Sequence, residues 1–522
     1  MRARTHWGWG FEDAAISTAE ARAAAPALVE LLGFGALEPE EPVAPNRVVL
    51  PAPRLHCPPH LRGICGEHDA VRLGHAYGQS YLDTVRALRG VYEHVPDAVA
   101  HPRDRREVED VLEWAAAANA AVIPYGGGTS VVGGVEPRVP ERFDGVVTID
   151  VSAIDEVREV DPVSRAARIG AGASGPRIED QLSEHGLTLR FFPQSFELST
   201  LGGWIATRAG GHFATHQTHI DDLVESVRAV GPGGLWSSRR LPGSGAGPSP
   251  DRLLLGSEGI LGVIVEAWVR VRPRPSHRAG RAVRFDSFLA GAEAVRALAQ
   301  SELEPANCRL IDPLEAAQTG AGDGAHALLT LGFESADHPV DAWLARALEI
   351  CRTHGGRYEE RIADSGAELG AWREAFLRMP YLRDVLVRLG VFTDTFESAV
   401  TWERFPAFHE HVTGAVRAAL GEPSRVTCRL THVYPDGPAP YFTVLAPARR
   451  GEEVAQWHEM KAAASRAILD AGGTITHHHG VGRDHRPWYD EQRPDAFAAA
   501  LRAAKRALDP DGVLNPGVLI DP

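Results

Sequence analysis

A run of three glycines directly after an apolar segment constrains this chain more than any other feature of its sequence. The stretch "AAVIPYGGGTSVVGG" (residues 120–134) reads as a strand that ends in a glycine-rich loop. Such a loop leaves backbone N–H groups uncovered and able to converge on an anion. The pattern is neither a G-x-G-x-x-G motif nor a P-loop, because it lacks the P-loop lysine. The loop alone leaves two interpretations open: it binds a pyrophosphate, or it is a tight turn without a ligand.

An α/β unit surrounds this loop. A helix is predicted to begin near Asp104, since Val108, Val111 and Leu112 recur at helical spacing, and short strands such as "GVVTIDVS" and "RAARIGAG" follow. The first ~90 residues indicate helices joined by proline-rich connectors, starting with "STAEARAAAPALVELLGFG". Beyond about residue 275, strands such as "HALLTLGFE" alternate with long helices, which favours a second α+β domain.

Two more glycine-rich segments follow in order along the chain. In "FPQSFELSTLGGWIATRAGG" (residues 192–211), Gly202 and Gly203 would let the backbone approach a flat ring, and Ser199, Thr200 and Thr207 offer hydroxyl groups. The segment "LLLGSEGILGVIVEAWVRVRP" (residues 253–273) is a polar glycine turn that leads into a strand. Three ordered glycine segments are a far more specific signal than one.

Together, these segments resemble the FAD-binding domain of the vanillyl-alcohol oxidase superfamily, over about residues 95–275. The resemblance implies FAD bound between two α/β subdomains, with the flavin ring facing a cap domain. We expect this FAD to be non-covalent, because no motif of the chain matches the attachment sites of the superfamily. The residues that it assigns to FAD are Pro124, Tyr125, Gly126, Gly127, Gly128, Thr129, Ser130, Gln194, Ser195, Phe196, Glu197, Leu198, Ser199, Thr200, Thr207, Arg208, Ala209, Gly210, Glu258, Gly259, Ile260, Leu261, Gly262, Val263 and Ile264.

Four further blocks resemble the alkyldihydroxyacetonephosphate synthase family over nearly the whole chain. They are "HWGWGF", "WREAFLRMPYLRDVLVRLGVFTDTFESAVTW", "TCRLTHVYPDGPAPYFTV" and "THHHGVG". This family exchanges the acyl group of acyl-dihydroxyacetone phosphate for a fatty alcohol in ether-lipid synthesis and leaves the net oxidation state of the flavin unchanged. The resemblance implies that Arg383 binds the substrate head group. It gives catalytic roles to Tyr441, His477, His478, His479 and Arg309.

The chemistry of these residue types fits the implied reaction. A tyrosinate beside an imidazolium could remove the proton next to the substrate carbonyl, and histidine titrates near neutrality. Arginine binds phosphate through paired hydrogen bonds. For Arg309 and Arg383, an ordinary salt bridge remains the alternative.

The three adjacent histidines allow a second interpretation. Related flavoenzymes that oxidise D-2-hydroxy acids hold a divalent ion with "HxxGDGNxH" and "EHGxG" segments, where this chain has "HVYPDGPAPY" and "HHGVG". A site on His432, His478 and His479 would lack the carboxylate that a hard ion prefers. We therefore favour a role for these histidines in acid/base catalysis and predict that they bind no metal. A metal site and a purely structural role are the two alternative interpretations. The alternative function is an FAD-linked 2-hydroxy acid dehydrogenase.

Length and charge limit the remaining choices. At 522 residues the chain is too long for one core, and we expect an N-terminal helical extension (1–94), an FAD-binding domain (95–275), a cap domain (276–475) and a C-terminal segment that returns to the flavin (476–522). The net charge of −15 disfavours a nucleic-acid partner. We expect a small-molecule or lipid-like substrate instead. The oligomeric state stays open, with a homodimer as one candidate.

No apolar run approaches the length of a membrane span, so we expect a cytoplasmic protein for which peripheral contact with a membrane stays open. The five cysteines are few and scattered, which predicts free thiols in a reducing compartment.

Overall fold

The computed structural model describes residues 2–358 and 379–521 and confirms the α+β class. The helices are α1 (Thr18–Leu32), α2 (Asp69–Leu73), α3 (Tyr81–Leu88), α4 (Arg105–Ala117), α5 (Gly175–Ser183), α6 (Leu201–Thr207), α7 (Asp251–Leu254), α8 (Phe288–Ala299), α9 (Pro313–Gln318), α10 (Asp341–Thr353), α11 (described over residues 379–388), α12 (Phe405–Leu420), α13 (Glu453–Asp470), α14 (Arg486–Gln492) and α15 (Asp495–Leu508). The strands are β1 (Cys65–Gly66), β2 (Ala98–Ala100), β3 (Ala120–Tyr125), β4 (Gly145–Asp150), β5 (Val157–Asp161), β6 (Ala166–Gly170), β7 (Leu187–Thr188), β8 (Val224–Gly231), β9 (Gly234–Ser237), β10 (Val263–Arg270), β11 (Arg272–Pro273), β12 (His277–Phe285), β13 (Asn307–Ile311), β14 (Ala327–Ser335), β15 (Val391–Glu397), β16 (Arg425–Val433) and β17 (Pro438–Pro447).

Two sheets build the half of the molecule that carries the glycine segments. The first has the order β1-β2-β4-β3, with β2 and β3 parallel to β4, and the second is antiparallel with the order β5-β6-β10-β8-β9. As expected, α4 begins after the N-cap Asp104, and Val108, Val111 and Leu112 are buried in the core that both sheets share. Leu514, from the end of the described chain, lies in the same core.

A six-stranded antiparallel sheet, β12-β14-β13-β16-β17-β15, forms the cap. Because side chains alternate along a strand, each strand presents one set of residues to the helices behind the sheet and another set to the front. Cys428 and Leu430 are buried in the helix-side core, whereas Arg429 and Thr431 between and beside them line a cavity in front. The cap sheet therefore presents polar side chains to that cavity, because every second residue of a strand faces the same side.

The N-terminal extension packs against the cap. Helix α1 lies in the segment expected to be the first helix; it begins with a capping box between Ser17 and Glu20 and ends at Gly33 (φ +81°). Ala21 and Ala25 pack against α11, and other residues of α1 line one end of the cavity. Residues 372–378 of the block "WREAFLRMPYLRD…" lie outside the described residues.

The prediction of free thiols is wrong for one pair of cysteines. Cys57 and Cys65 form a disulfide, because the turn between them brings their Cα atoms to 6.2 Å, within the range that a disulfide spans. Cys308, Cys351 and Cys428 are free and buried. None of the helices in residues 2–358 and 379–521 is both long enough and apolar enough to cross a bilayer.

Candidate functional site

A cavity of about 1670 Å³ lies between the glycine segments and the cap sheet. Its wall on one side comes from residues 124–135, 193–211 and 258–264. On the other side it comes from β12 to β17 and from the start of the "THHHGVG" block. The elements that the sequence marks for a cofactor and for catalysis therefore face each other across one space.

The glycine loop after β3 has the form of a cradle that side chains would fill. A Cβ atom on Gly126 would lie 2.3 Å from the Thr200 hydroxyl oxygen, and one on Gly127 would lie 2.1 Å from the Leu198 carbonyl oxygen. Gly128 has a φ of +62°, in the left-handed region that favours glycine. The backbone is thus held against the second glycine segment, as the close approach of a pyrophosphate requires. The residues fit an FAD.

Most residues assigned to FAD line this cavity. They are Pro124, Tyr125, Gly126, Gly127, Gly128, Thr129, Ser130, Gln194, Ser195, Ser199, Thr200, Thr207, Ala209, Gly210, Glu258, Gly259, Gly262, Val263 and Ile264.

Six assigned residues do not line the cavity, and their side chains have other partners. Leu198, Ile260 and Leu261 are buried among apolar neighbours. Phe196 packs on Phe192, Glu197 accepts a hydrogen bond from the Tyr381 hydroxyl, and Arg208 pairs with Asp221 at 2.7 Å. These six residues belong to the turns and the helix end of the glycine segments, and their side chains contact neighbours outside the cavity.

A buried carboxylate holds the histidine run in place. Glu397 ends β15, and its Oε1 atom accepts hydrogen bonds from the hydroxyl of Thr476 (2.7 Å) and the backbone N–H groups of His478 (3.2 Å) and His479 (2.9 Å). Its Oε2 atom accepts from the N–H of His477. The adjacent histidines are thus fixed by one side chain that sequence reasoning missed, although "FESAVTW" belonged to a recognised block.

These histidines are neutral. Burial lowers the pKa of His479, although the nearby Glu397 acts in the opposite direction, and burial lowers the pKa of His478 to about 3. Burial by itself would raise the pKa of Glu397, but the surrounding histidines and a threonine hydroxyl lower it well below its usual range. The cluster is therefore an ionised carboxylate beneath neutral imidazoles.

Tyr441 stands on β17 beside this cluster. Its ring meets the His479 ring edge-on at 5.5 Å, and its hydroxyl donates to the Thr395 hydroxyl oxygen (3.0 Å). Burial raises the pKa of Tyr441, and the Arg429 guanidinium, 4.1 Å from the ring centre, only partly offsets that effect. The expected tyrosinate beside an imidazolium is wrong for this arrangement, because burial favours the neutral form of both groups.

His477 lies behind the cavity wall rather than in it. Its Nε2 atom is 2.7 Å from the Tyr434 hydroxyl and 3.1 Å from Nε2 of His219. His432, His477 and His478 bring one ring nitrogen each to within 4.8 Å of one another. This group could hold a metal without a carboxylate, but it contains His477 where the metal alternative has His479. The absence of a metal from this cluster stays a prediction.

Two arginines of the cap sheet reach the cavity. Arg429 forms a buried ion pair with Glu315 that the sequence did not indicate. Arg309, on the neighbouring strand, also lines the cavity, where burial and the charge of Arg429 lower its pKa to about 9. An anionic group of a substrate would make this environment more favourable for Arg309.

Arg383 lines the cavity from α11, and it also has the salt bridge that was its alternative interpretation. Its guanidinium lies 3.0 Å from the Asp384 carboxylate and donates to the backbone carbonyl oxygen of Gln79. The role of Arg383 in binding a head group stays a prediction.

The segment after the histidines closes the cofactor side. Glu258 accepts hydrogen bonds from the N–H groups of Val481 and Gly482, both at 2.7 Å. The Asn515 amide donates to the backbone oxygens of Glu258 (2.7 Å) and Gly134 (3.1 Å). Residues 480–515 therefore tie two of the three glycine segments together.

The end of the cavity next to the N-terminal extension is apolar. Its leucines come from α1, α11 and β17, and Leu31 and Leu382 are 46% and 41% exposed, which places this end at the surface. The lining leucines here are Leu28, Leu31, Leu32, Leu382, Leu386 and Leu445. A polar centre thus opens toward an apolar mouth.

Comparison with known proteins gives consistent matches. The model described as "FAD binding domain" matches residues 96–237, and the one described as "FAD linked oxidases, C-terminal domain" matches residues 274–519. The alkyldihydroxyacetonephosphate synthase of Dictyostelium discoideum is 30% identical over 478 residues, which cover 86% of this chain and 77% of that protein. The glycolate oxidase subunit GlcD of Bacillus subtilis is 25% identical and is matched over 82% of this chain and 89% of its own length.

A solved structure of an alkyldihydroxyacetonephosphate synthase has the same fold. It superposes with a TM-score of 0.81 at 24% sequence identity, over 98% of this chain and 97% of that chain.

Proposed function

Because the chain belongs to the alkyldihydroxyacetonephosphate synthase family, we propose that it exchanges the acyl group of an acyl-dihydroxyacetone phosphate for a fatty alcohol. The cofactor is FAD, held by the three glycine segments. When bound, FAD supplies a reactive ring that takes part in the exchange without net oxidation of the substrate. The chain's own residues must then bind an anionic head group, accommodate a long alkyl chain and move protons.

We assign the proton acceptor to His479. Its Nδ1 atom lies 3.6 Å from the Glu397 carboxylate, so a proton on Nδ1 is favoured and Nε2 keeps its lone pair. When Nε2 takes a proton from the substrate carbon or the entering alcohol, the Glu397 charge stabilises the resulting imidazolium. Tyr441, neutral and next to His479, would turn its hydroxyl from Thr395 to donate a hydrogen bond to oxygen of the substrate. This assignment reverses the roles expected from the sequence, because burial opposes a tyrosinate.

Arg309 is the proposed contact for the anionic head group. It lines the polar centre of the cavity, and its lowered pKa shows the cost of burying a cation there. A phosphate offers paired acceptors that match the guanidinium. Arg383, already paired with Asp384, would contribute the outer part of the same site.

The observation that carries the proposal is the continuity between this polar centre and the apolar mouth. A small hydroxy acid would leave Leu31 and Leu382, the exposed leucines of the mouth, in contact with water. An alkyl chain would cover them, and each buried methylene contributes about 0.8 kcal/mol. The cavity therefore suits an amphiphile with a charged head and a long chain.

The test is an exchange assay on the purified holoenzyme. Palmitoyl-dihydroxyacetone phosphate and labelled hexadecanol should give labelled alkyl-dihydroxyacetone phosphate and free palmitate in equal amounts, with no net bleaching of the flavin. Leu31→Lys, at the mouth, should raise the KM for hexadecanol more than that for butanol. Absence of labelled ether product at saturating substrates would refute the proposed exchange.

The second candidate is an FAD-linked 2-hydroxy acid oxidoreductase, which the cluster of His432, His477 and His478 favours because its geometry can hold a cation. Under that function a D-2-hydroxy acid bleaches the flavin without oxygen, and a chelator abolishes the bleaching. The exchange function predicts that neither effect occurs.

A further inference from the structure

A second group of metal-ligand side chains lies on the far side of the glycine loop, outside the cavity. His75 follows α2, His101 follows β2, and Asp150 ends β4. Their side chains are 12%, 37% and 9% exposed. Neither the FAD site nor the proposed exchange uses these residues, so the grouping needs its own explanation.

The distances suit a small cation. The Asp150 Oδ2 atom lies 3.0 Å from Nε2 of His75 and 3.4 Å from Nδ1 of His101, and one ligand atom from each residue falls within 4.8 Å of the others. Ligand bonds of about 2.0–2.1 Å in a tetrahedral zinc site put neighbouring ligand atoms about 3.3–3.4 Å apart. The 3.4 Å separation between Asp150 and His101 matches this spacing, and the 3.0 Å separation between Asp150 and His75 is slightly shorter.

Hydrogen bonds around the group orient it as a metal site requires. Nδ1 of His75 lies 2.8 Å from the carbonyl oxygen of Val71, which can only accept, so Nδ1 carries a proton. In the neutral ring the Nε2 lone pair then faces the Asp150 carboxylate, and two electron-pair donors meet at 3.0 Å. The other Asp150 oxygen accepts from the backbone N–H of Ser152 (2.8 Å). A histidine that donates its second N–H to a carbonyl is the usual outer contact of a zinc ligand.

We propose that His75, His101 and Asp150 bind a zinc ion whose fourth position, on the exposed His101 side, is open to water. The His75 ring packs on Tyr125 at 4.6 Å between ring centres, and Tyr125 directly precedes the three glycines. The ion would join the N-terminal extension to the ends of β2 and β4 and brace the pyrophosphate loop from behind. The ion is independent of the reaction at the flavin.

The experiment uses the FAD-loaded full chain, stripped of metal with a chelator and titrated with ZnCl2 alone in a calorimeter. His101→Ala removes a half-exposed ligand, and His477→Ala serves as the matched control for the other histidine cluster. We expect His101→Ala to weaken this zinc affinity at least tenfold and to leave the exchange rate unchanged, whereas His477→Ala keeps the affinity.

A cobalt titration of the unaltered protein needs no variant. Co²⁺ in this site should give the intense visible bands of tetrahedral coordination, and His101→Gln should abolish them. Equal zinc affinity in the unaltered chain and in His101→Ala would overturn the proposal. The absence of both zinc binding and cobalt bands would also overturn it, and would leave a hydrogen bond between His75 and Asp150 as the reason for the short contact.

Discussion

Replacing Glu397 with glutamine should damage both stability and turnover. The carboxylate accepts from Thr476, His477, His478 and His479 and is almost wholly buried. An amide keeps one acceptor oxygen and turns an NH2 group toward at least one backbone N–H. Hydrogen bonds to a buried charge contribute about 1.5–3 kcal/mol each, so losing one and opposing another donor should cost about 2–4 kcal/mol. That corresponds to a drop of roughly 4–16 °C in thermal midpoint for a domain of this size.

Turnover should fall further than stability alone requires. Without the anion beneath it, the His479 imidazolium loses its stabilising charge, and a shift of the ring by about 1 Å can cost on the order of 10²-fold in kcat. The assays are thermal unfolding followed by flavin fluorescence, and ether formation with FAD bound. Glu491→Gln is the control, because that glutamate is 54% exposed and its pair with Arg466 contributes little. An unfolding midpoint and a kcat for Glu397→Gln equal to those of Glu491→Gln would refute the role of this carboxylate.

Three further outcomes are expected. Tyr441→Phe should lower kcat by about 10²–10⁴-fold with FAD still bound, measured by the exchange assay and the flavin spectrum; an unchanged kcat would exclude its hydroxyl from the chemistry. Gly127→Ala should lose FAD, since its Cβ would lie 2.1 Å from a backbone oxygen, whereas Gly243→Ala, with nothing within 4 Å, should keep it; FAD released from the denatured chain measures both and shows that no covalent bond holds it. Burial lowers the pKa of His478 and of His485 to about 3 in the folded chain, whereas a histidine in the unfolded chain has a pKa of about 6.5. Between these two pH values the unfolded chain binds protons that the folded chain does not. The free energy of unfolding should therefore fall on acidification across this range, by about 1.4 kcal/mol per pH unit for each histidine. Replacing both with glutamine should flatten that dependence in urea unfolding, and parallel profiles would contradict the assignment.

The sequence predicted the parts of the fold that local rules control. The start of α4 near Asp104, the apolar face of that helix and the strand that ends at the three glycines are set by neighbours in sequence, and the structure has all three. The three glycine segments converge on one cavity, as their order along the chain indicated.

The rest depended on contacts between distant residues. Nothing near Glu397 in the sequence shows that it will accept hydrogen bonds from residues about 80 positions later. Burial likewise decides the charge of Tyr441 and of the histidines, and burial is a property of the assembled sheet rather than of the motif. Cys57 and Cys65 were read as scattered thiols because the turn that joins them has no distinctive spacing.

The hydrogen bonds from Asn515 to Gly134 and Glu258 can form only late in the synthesis of the protein. The backbone oxygen of Gly134, beside the pyrophosphate loop, accepts a hydrogen bond from Asn515, which is synthesised 381 residues later. Val122 lies on β3, the edge strand of the first sheet, and its backbone likewise forms hydrogen bonds with the backbone of Val513 and Asn515. Until those residues emerge, the nascent FAD-binding half has an unfinished sheet edge and an incomplete cofactor site. Flavin capture should therefore follow translation, so that a chain interrupted in its last tenth remains colourless.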